Sequence, residues 1–240
     1  MPRILLLADV HGNLPALDAV LADAVGTFDL ILSAGDQVGL GPWPAEVLER
    51  LAELGCLCVL GNHDEACLSE RAIQLDPQGI ALVWTRETLP RESLEALASF
   101  PERRDGEGWT LVHGSPRGPL WEFLVDRPAA LGSFERFSGL LGLYGHTHLP
   151  GGFVLDGDAL DPLDPGAGEV PLRPGARYLL NPGSVGAPRD GDPRAAYAVA
   201  DRKRGRIEFH RVAYPVERTV EEIGRVGLPA SLGDRLRQGR

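Results

Sequence analysis

The feature that most constrains this chain is an apolar run ending in polar residues, which occurs six times. In the first run, Ile4–Leu7 is aliphatic throughout, and Asp9 and His11 follow two residues apart. That spacing places two side chains on the same side of an extended chain. The five later runs end beside a glycine near Asp36, Asn62, His113, His146 and Asn181. The pattern predicts buried strands with the candidate functional residues at their ends.

Helical periodicity between these runs predicts βαβ units. Asn13 is a good N-cap and Pro15 stands in the first turn that would follow it. Strand, loop, helix and strand in this order are typical of right-handed crossovers. Later helices are expected at about 134–140 and from near Val216, with a polar tail closing the chain.

Residues 1–240 are expected to form one domain, because no low-complexity block or long linker divides them. A helical pattern predicts a helical cap or insertion at about 65–105. Many Gly, Pro and Asp residues surround Phe153–Leu155, which predicts a hairpin and loop at about 149–177, the least ordered part of the chain.

The composition excludes some partners. A formal net charge of −10 repels a polyanion, so long nucleic acid is not expected. No stretch approaches the roughly 18 consecutive apolar residues of a membrane span, so no membrane association is expected. The N-terminal sequence lacks the pattern of a secretory signal, which predicts a cytoplasmic location.

The polar residues at the strand ends have the composition of a metal site. Five of the six histidines and all three asparagines lie there, where open α/β sheets bind ligands. Asp, His and Asn without a thiolate suit Mn, Fe, Zn, Co or Ni. The candidate ligands are Asp9, His11, Asp36, Asn62, His113, His146 and His148. Seven ligands exceed the needs of one ion, which favours two ions bridged by a carboxylate.

The order Asp-x-His, Gly-Asp, Gly-Asn-His-Asp, His and Gly-His-x-His resembles that of the calcineurin-like metallophosphoesterase superfamily. The resemblance extends from Ile4 to His148, and Asn181–Ser184 is similar to a segment of its small bacterial and archaeal branch. It implies an α/β fold, a four-layer αββα sandwich of two sheets flanked by helices. It also implies hydrolysis of a phosphate ester by a hydroxide that bridges two divalent ions, with manganese favoured.

The resemblance further implies a role for each residue. Asp9, His11, Asp36 and His148 would hold one ion, and Asp36, Asn62, His113 and His146 the second. Asp36 would then be the bridge. His63 would be the general acid that protonates the departing oxygen.

The sequence departs from the family pattern at two places. No arginine follows Gly35-Asp36, although the protein-phosphatase and diadenosine-tetraphosphatase branches carry one there; Arg117 and Arg189 are candidates to replace it. Gly39 occupies the position of the acidic residue that commonly orients the general acid, and either Asp64 substitutes for it or nothing does. Phe123 is expected to pack under its loop rather than to contact a ligand.

The expected function is hydrolysis of a small phosphorylated substrate, a phosphomonoester or phosphodiester, nucleotides included. Three alternatives stay open. They are a serine/threonine protein phosphatase-like or diadenosine-polyphosphate hydrolase, a nuclease of the related DNA-repair group, and a non-catalytic metal-bound scaffold. The negative charge argues against the nuclease, and His63 beside a full ligand set argues against the scaffold.

Overall fold

Two six-stranded β-sheets lie face to face in the computed structural model, which describes residues 2–69 and 73–240. Helices cover the outer faces of both sheets. This arrangement confirms the expected four-layer αββα sandwich.

The strands are β1 (Arg3–Leu7), β2 (Leu30–Ser33), β3 (Leu57–Cys58), β4 (Arg103–Gly106), β5 (Trp109–Val112), β6 (Leu141–Leu143), β7 (Pro150–Asp156), β8 (Ala159–Leu163), β9 (Glu169–Pro171), β10 (Arg177–Pro182), β11 (Ala195–Asp201) and β12 (Arg206–Val212). The first sheet has the order β3-β2-β1-β11-β12-β9 and the second β4-β5-β6-β10-β7-β8. Within them β1, β2 and β3 are parallel, as are β5, β6 and β10; the other pairs are antiparallel.

The helices are α1 (Leu14–Asp23), α2 (Pro44–Glu53), α3 (Asn62–Leu68), α4 (Pro77–Thr88), α5 (Arg91–Ala98), α6 (Arg127–Phe134), α7 (Val216–Arg225) and α8 (Ala230–Gln238). A 3-10 turn lies at Pro165–Ala167. The side chain of Asn13 accepts a hydrogen bond from the Ala16 amide and so caps α1 as predicted. No helix in the described part of the chain has both the length and the apolar content to cross a bilayer.

The first strand shows why the apolar runs are unbroken. Ile4 and Leu6 pack into the core between the sheets, whereas Leu5 and Leu7 pack against the helices on the outer face. All four side chains are fully buried. A strand covered on both faces gains from apolar residues at every position, about 1.5–3 kcal/mol for each large aliphatic side chain.

The structure corrects two expectations about helices. The helix expected at about 134–140 is α6, which ends at Phe134. The Asp126 side chain accepts a hydrogen bond from the Ala129 amide and, with Pro128 in the first turn, starts the helix earlier. The C-terminal tail is not only polar chain, since it contains α8, whose buried face includes Leu232 and Leu236.

Two segments expected to be insertions contribute strands to the second sheet. The region at about 65–105 is helical in α3, α4 and α5, but its end is β4, a polar edge strand paired antiparallel with β5. The region at about 149–177 contains β7, which pairs with β10 along six residue pairs from Arg177 to Pro182. The region therefore contains the expected hairpin, formed by β7 and β8, and this hairpin is part of the second sheet.

Candidate metal centre

The loops that leave both sheets are joined at the carboxyl ends of the parallel strands. The amide of His11 donates to the Asp36 carbonyl at 2.9 Å, which aligns the loops after β1 and β2. The amide of His146 donates to the Asp9 carboxylate at 3.1 Å, which links the second sheet to the first. Donor side chains far apart in sequence therefore meet at one edge of the molecule.

Six buried side chains form two groups of possible metal ligands that share one residue. One group is Asp9, His11, Asp36 and His148, and the other is Asp36, His113 and His146; within each, the ligand atoms lie within 4.8 Å of one another. The Asp36 Oδ2 atom is 3.7 Å from His11 Nε2 and 3.4 Å from His113 Nε2. Asp36 is thus placed between the groups, as a bridging carboxylate would be.

Asn62 joins the second group. Its Oδ1 atom lies 2.8 Å from Nε2 of His113. The structure therefore brings all seven residues predicted as ligands to one place.

Backbone carbonyl groups orient three of the four histidines in the two groups. Nδ1 of His11 faces the Val38 carbonyl at 3.2 Å, that of His113 the Ala34 carbonyl at 2.8 Å, and that of His148 the Ala187 carbonyl at 2.5 Å. A carbonyl oxygen only accepts, so Nδ1 carries the proton in each ring. The Nε2 lone pairs are then left for a ligand, the usual arrangement of metal-binding histidines.

Without a cation this arrangement is electrostatically unfavourable. The Nε2 atoms of His11 and His148 are 3.2 Å apart, and both are acceptors in the tautomers just described. His113 Nε2 likewise faces an amide oxygen, and Nε2 of His146 is buried with no hydrogen-bond partner in the described residues. A divalent ion between such lone pairs removes the conflict, so the residues present fit metal ions.

Burial also sets the protonation of the donors. Desolvation raises the pKa of Asp9 well above its usual range and that of Asp36 to about 7. Desolvation lowers the pKa of His113 to about 4 and that of His146 to about 3. The histidines are therefore neutral at pH 7, as metal ligands must be.

The backbone is strained at the same residues. Of the described residues other than glycine, five have a positive φ, between 50° and 66°: Asp9, His11, Asp36, His146 and His148. All five belong to the two ligand groups. Left-handed backbone at such residues costs of order 1–3 kcal/mol each and persists where the surroundings hold it. The left-handed conformation turns these five side chains inward directly after the strands.

His63 lies beside the two groups at the start of α3. Its amide donates to Asp36 Oδ1 at 2.8 Å, and its ring centroid is 4.7 Å from that of His11. The ring Nδ1 is buried and has no hydrogen-bond partner among the described residues. Burial lowers the pKa of His63 to about 3, and the neighbouring His113 acts in the same direction. The ring is therefore neutral in the protein without a ligand.

Asp64 does not orient His63. Its carboxylate accepts hydrogen bonds from the amides of Gly61 and Val38 at 2.9 and 3.1 Å, and from the Gln37 side chain at 3.1 Å. Asp64 therefore joins the loops after β2 and β3, and the expectation that it substitutes for the missing acid is wrong. Gly39 instead lies against His63, since a Cβ there would stand 2.6 Å from Nδ1.

A cavity of about 110 Å³ opens onto the centre. It is lined by Asp36, Asn62, His63, Gln78, Phe123, His146, His148 and Arg189. The two candidate anion-binding arginines therefore differ. Arg189 lines the cavity, whereas Arg117 does not and forms an ion pair with Glu122 in its own loop.

Two residues of the cavity were not expected there. Phe123 is 54% exposed, and its ring centroid is 4.0 Å from that of His146, so it does not pack under its loop. Its place in the loop after His113 was the only signal in the sequence. Gln78 lies in the first turn of α4 and had no such signal.

The comparisons with known proteins agree with this geometry. The sequence model described as calcineurin-like phosphoesterase matches residues 2–150. The uncharacterized protein MJ0912 of Methanocaldococcus jannaschii is 36% identical over 245 residues, covering 99% of this chain and 98% of that protein. Phosphodiesterase YfcE of Escherichia coli K12 is 28% identical over 214 residues, covering 84% of this chain and 88% of YfcE.

A solved structure is similar over the whole length. The crystal structure of a metallophosphoesterase from Sphaerobacter thermophilus has a TM-score of 0.87 and 43% sequence identity, and it covers 100% of this chain and 99% of that chain. The match to the family extends over more than half of this sequence, and a buried Asp/His cluster suited to metal lies at its centre. The chain therefore belongs to the calcineurin-like phosphoesterase family and is a metal-dependent hydrolase of phosphate esters.

Proposed function

We propose that this protein uses two divalent ions to hydrolyse a small-molecule phosphomonoester or phosphodiester, nucleotides included. The observation that carries the proposal is the position of Asp36, whose Oδ2 lies 3.4 Å from a histidine of one ligand group and 3.7 Å from a histidine of the other. When bound, the ions would supply an acidified water molecule as nucleophile and positive charge beside the phosphate oxygens. Asp9, His11, Asp36 and His148 would hold one ion, and Asp36, Asn62, His113 and His146 the other.

The role of Arg189 is to bind the phosphate. Its side chain lines the cavity and has no carboxylate within 4 Å in the described part of the chain. A guanidinium group offers paired donors that match phosphate oxygens. Arg189 therefore supplies the clamp that the sequence lacks after Asp36.

The role of His63 is to protonate the leaving oxygen. Its ring lines the cavity, and its buried Nδ1 has no hydrogen-bond partner among the described residues. The low pKa of about 3 belongs to the protein without substrate and is caused first by desolvation. The negative charge of a bound phosphate acts in the opposite direction and favours the protonated ring. A bound ester therefore shifts His63 toward the charged form that a general acid needs.

The test is a screen of esters against protein reloaded with one metal at a time. Metal-free protein is incubated with Mn²⁺, Fe²⁺, Zn²⁺, Co²⁺ or Ni²⁺, and release of alcohol is measured for paired mono- and diesters. We expect turnover only when metal is added, with activity saturating near two ions per chain. Arg189→Gln should bind the substrate more weakly. Arg117→Gln, outside the cavity, is the matched control. Protein that binds two ions and hydrolyses no ester would instead be the metal-bound scaffold.

Three finer points are part of this proposal. The oxygen and nitrogen ligands suit all five ions. Manganese is the first to test, because the resemblance to the family favours it. Long nucleic acid is not the expected substrate, given the net charge of −10. A cytoplasmic location stays a prediction.

A further inference from the structure

Three large apolar side chains are exposed in a short stretch of chain beside the metal centre. Trp121, Phe123 and Val125 lie in the loop between β5 and α6 and are 51%, 54% and 62% exposed. Of these three, only Phe123 lines the cavity of the metal centre. Single exposed apolar residues are common in proteins, so it is the position of Phe123 rather than its exposure that needs an explanation.

The loop holds Phe123 in this position through buried residues on both sides of it. Leu120 and Leu124 are buried. Leu124 packs in the same apolar cluster as Val112, the last residue of β5. The exposed side chains therefore alternate with buried ones, and Phe123 is presented by a segment that is fixed to the second sheet.

A hydrogen-bonded ion pair holds the middle of the same loop. The Glu122 carboxylate accepts hydrogen bonds from the Ser115 hydroxyl and, at 2.9 Å, from Nε of Arg117. The Ser115 hydroxyl oxygen also accepts a hydrogen bond from the Gly118 amide at 2.9 Å. Because Glu122 is paired with Arg117, the carboxylate next to Phe123 repels an anionic substrate less than a free charge would.

One face of the Phe123 ring lies against a metal ligand. The ring centroid is 4.0 Å from that of His146, and the two planes are inclined at 34°. A ring covered on both faces would not be 54% exposed, so the second face of Phe123 is open to solvent. A second aromatic ring on that face would bury apolar area and gain the additional attraction between aromatic pairs.

The size of the cavity determines where the organic part of an ester lies. The volume of about 110 Å³ is the space of several water molecules, which suits a phosphate group. A larger organic group extends out of the cavity, past the residues that line it. Among the described lining residues, Phe123 is the one with an apolar side chain. It is therefore the contact available to an apolar part of the substrate.

We infer that the substrate carries a planar aromatic group, joined to the scissile phosphate through the ester oxygen or a short linker, which stacks on the open face of Phe123. This inference rests on the proposed function and narrows it to aryl, arylalkyl and nucleoside esters. Phe123 determines specificity by shape, because a flat ring contacts its whole face and a saturated ring does not. A nucleobase and a simple aryl group share this chemistry.

Binding of phosphonates, which are not hydrolysed, tests the inference. Metal-loaded protein is titrated calorimetrically with benzylphosphonate and cyclohexylmethylphosphonate, which are equal in charge and carbon number but differ in planarity. We expect benzylphosphonate to bind about threefold or more tightly, because aromatic pairs gain more than the buried area alone supplies. Equal affinities for the two probes would overturn the inference.

A second pair of probes distinguishes the two sources of the aromatic group. The phosphonate analogue of adenosine 5′-monophosphate is compared with the same sugar phosphonate without a base. A larger affinity ratio in this pair than in the benzyl pair identifies the group as a nucleobase, and a smaller one identifies it as a simple aryl group.

Variants of one loop give a matched comparison. Phe123→Leu keeps an apolar side chain but removes the ring, so the preference for benzylphosphonate should disappear. Phe123→Tyr keeps the aromatic face and should keep the preference within about twofold of the wild-type ratio. Trp121→Ala removes an aromatic side chain of similar exposure that does not line the cavity, and should leave the preference unchanged. A wild-type preference in Phe123→Leu would contradict the assignment.

Two other roles of Phe123 predict different results. If the ring only covers His146, Phe123→Leu should lose metal and bind both probes more weakly by the same factor; metal content is therefore measured in every variant by mass spectrometry. If the ring packs against a second copy of the chain, size-exclusion chromatography should show an assembly that Phe123→Leu dissociates, with the preference unchanged. Either pattern speaks against recognition of an aromatic substrate group.

The outcome is separable from that of the proposed function. Hydrolysis of esters without any preference for planar groups defeats this inference alone. Preferential binding that depends on Phe123, without hydrolysis of any ester, defeats the proposed function and leaves an aromatic-binding site beside the metal centre.

Discussion

The metal-ligand groups and the residues that line the cavity differ in how their side chains are held. His11 and His113 each direct Nδ1 to a backbone carbonyl, which settles both the tautomer and the ring orientation. In contrast, Nδ1 of His63 has no partner and Arg189 no carboxylate in the described part of the chain. The ligand atoms are therefore oriented before a metal binds, whereas the groups facing the substrate acquire partners only with the substrate.

The backbone shows the same difference. Asp9, Asp36 and His146 lie in strained left-handed conformations that hydrogen bonds between the loops maintain. Gln78 comes from α4, which carries no metal ligand, and Phe123 lies in the loop after β5, farther along the chain than His113. One expects the metal chemistry to be sensitive to small changes and the substrate contacts to be adjustable.

Loss of the shared carboxylate should have the largest effect. Asp36→Asn is expected to lower kcat/KM by about 10³-fold or more and to reduce bound metal, because the neutral amide no longer bridges two cations. Activity is measured in metal-defined buffer, and metal content by mass spectrometry. Asp158→Asn, in an exposed turn between β7 and β8, is the control. Full activity with two ions per chain in Asp36→Asn would show that the carboxylate does not bridge.

Removal of the His63 imidazole should lower activity without changing metal binding. His63→Ala is expected to lower kcat by about 10²–10⁴-fold while metal content stays at the wild-type level. The loss should be larger for an alkyl ester than for a p-nitrophenyl ester, since a good leaving group needs little protonation. His210→Ala, which removes a ring stacked on Tyr197 away from the cavity, is the control. Equal losses for both esters would contradict a role as general acid.

Proton competition should weaken metal binding in acid. Burial raises the pKa of Asp9 well above its usual range and that of Asp36 to about 7, so below pH 7 the metal-free protein holds at least one proton on these carboxylates that the metal must displace. Metal affinity should fall about tenfold or more for each pH unit between pH 7 and 5. His113, whose pKa is lowered to about 4, is already neutral there and adds little. Calorimetry in buffers of different ionisation enthalpy counts the protons released on metal binding. A metal affinity that does not change between pH 5 and 8 would contradict proton competition at these carboxylates.

The smallest effect should come from crowding the free imidazole. Gly39→Ala places a Cβ 2.6 Å from His63 Nδ1 and should lower kcat about tenfold by displacing the ring. Gly205→Ala is the matched control, because Gly205 also has a positive φ but nothing lies within 4 Å of its Cβ position. Both variants should lose about 1 kcal/mol or more of stability from backbone strain. If kcat falls equally in both, the effect is not local to His63.

Much of this arrangement could be predicted from local patterns. The run Ile4–Leu7 is apolar at every position because each side chain is buried on one of two faces, and that pattern is visible in the sequence. Asp9 and Asp36 follow such runs closely, so the same local pattern predicts both the strand and the metal ligand at its end. Two elements differ from the expectation. The strand β4 is polar at the sheet edge, so apolar periodicity does not reveal it, and α6 begins after the Asp126 cap rather than near Phe134.

The sequence by itself determined the buried strands and the order of the polar residues that follow them, because both depend on neighbouring residues, and the layered fold was what the resemblance to the family implied. Only the tertiary structure decided what faces the substrate. Arg117 and Arg189 are equivalent as loop arginines, yet one is paired with Glu122 and the other lines the cavity of the metal centre. Such contacts depend on distances between elements remote in the chain, which no local pattern encodes.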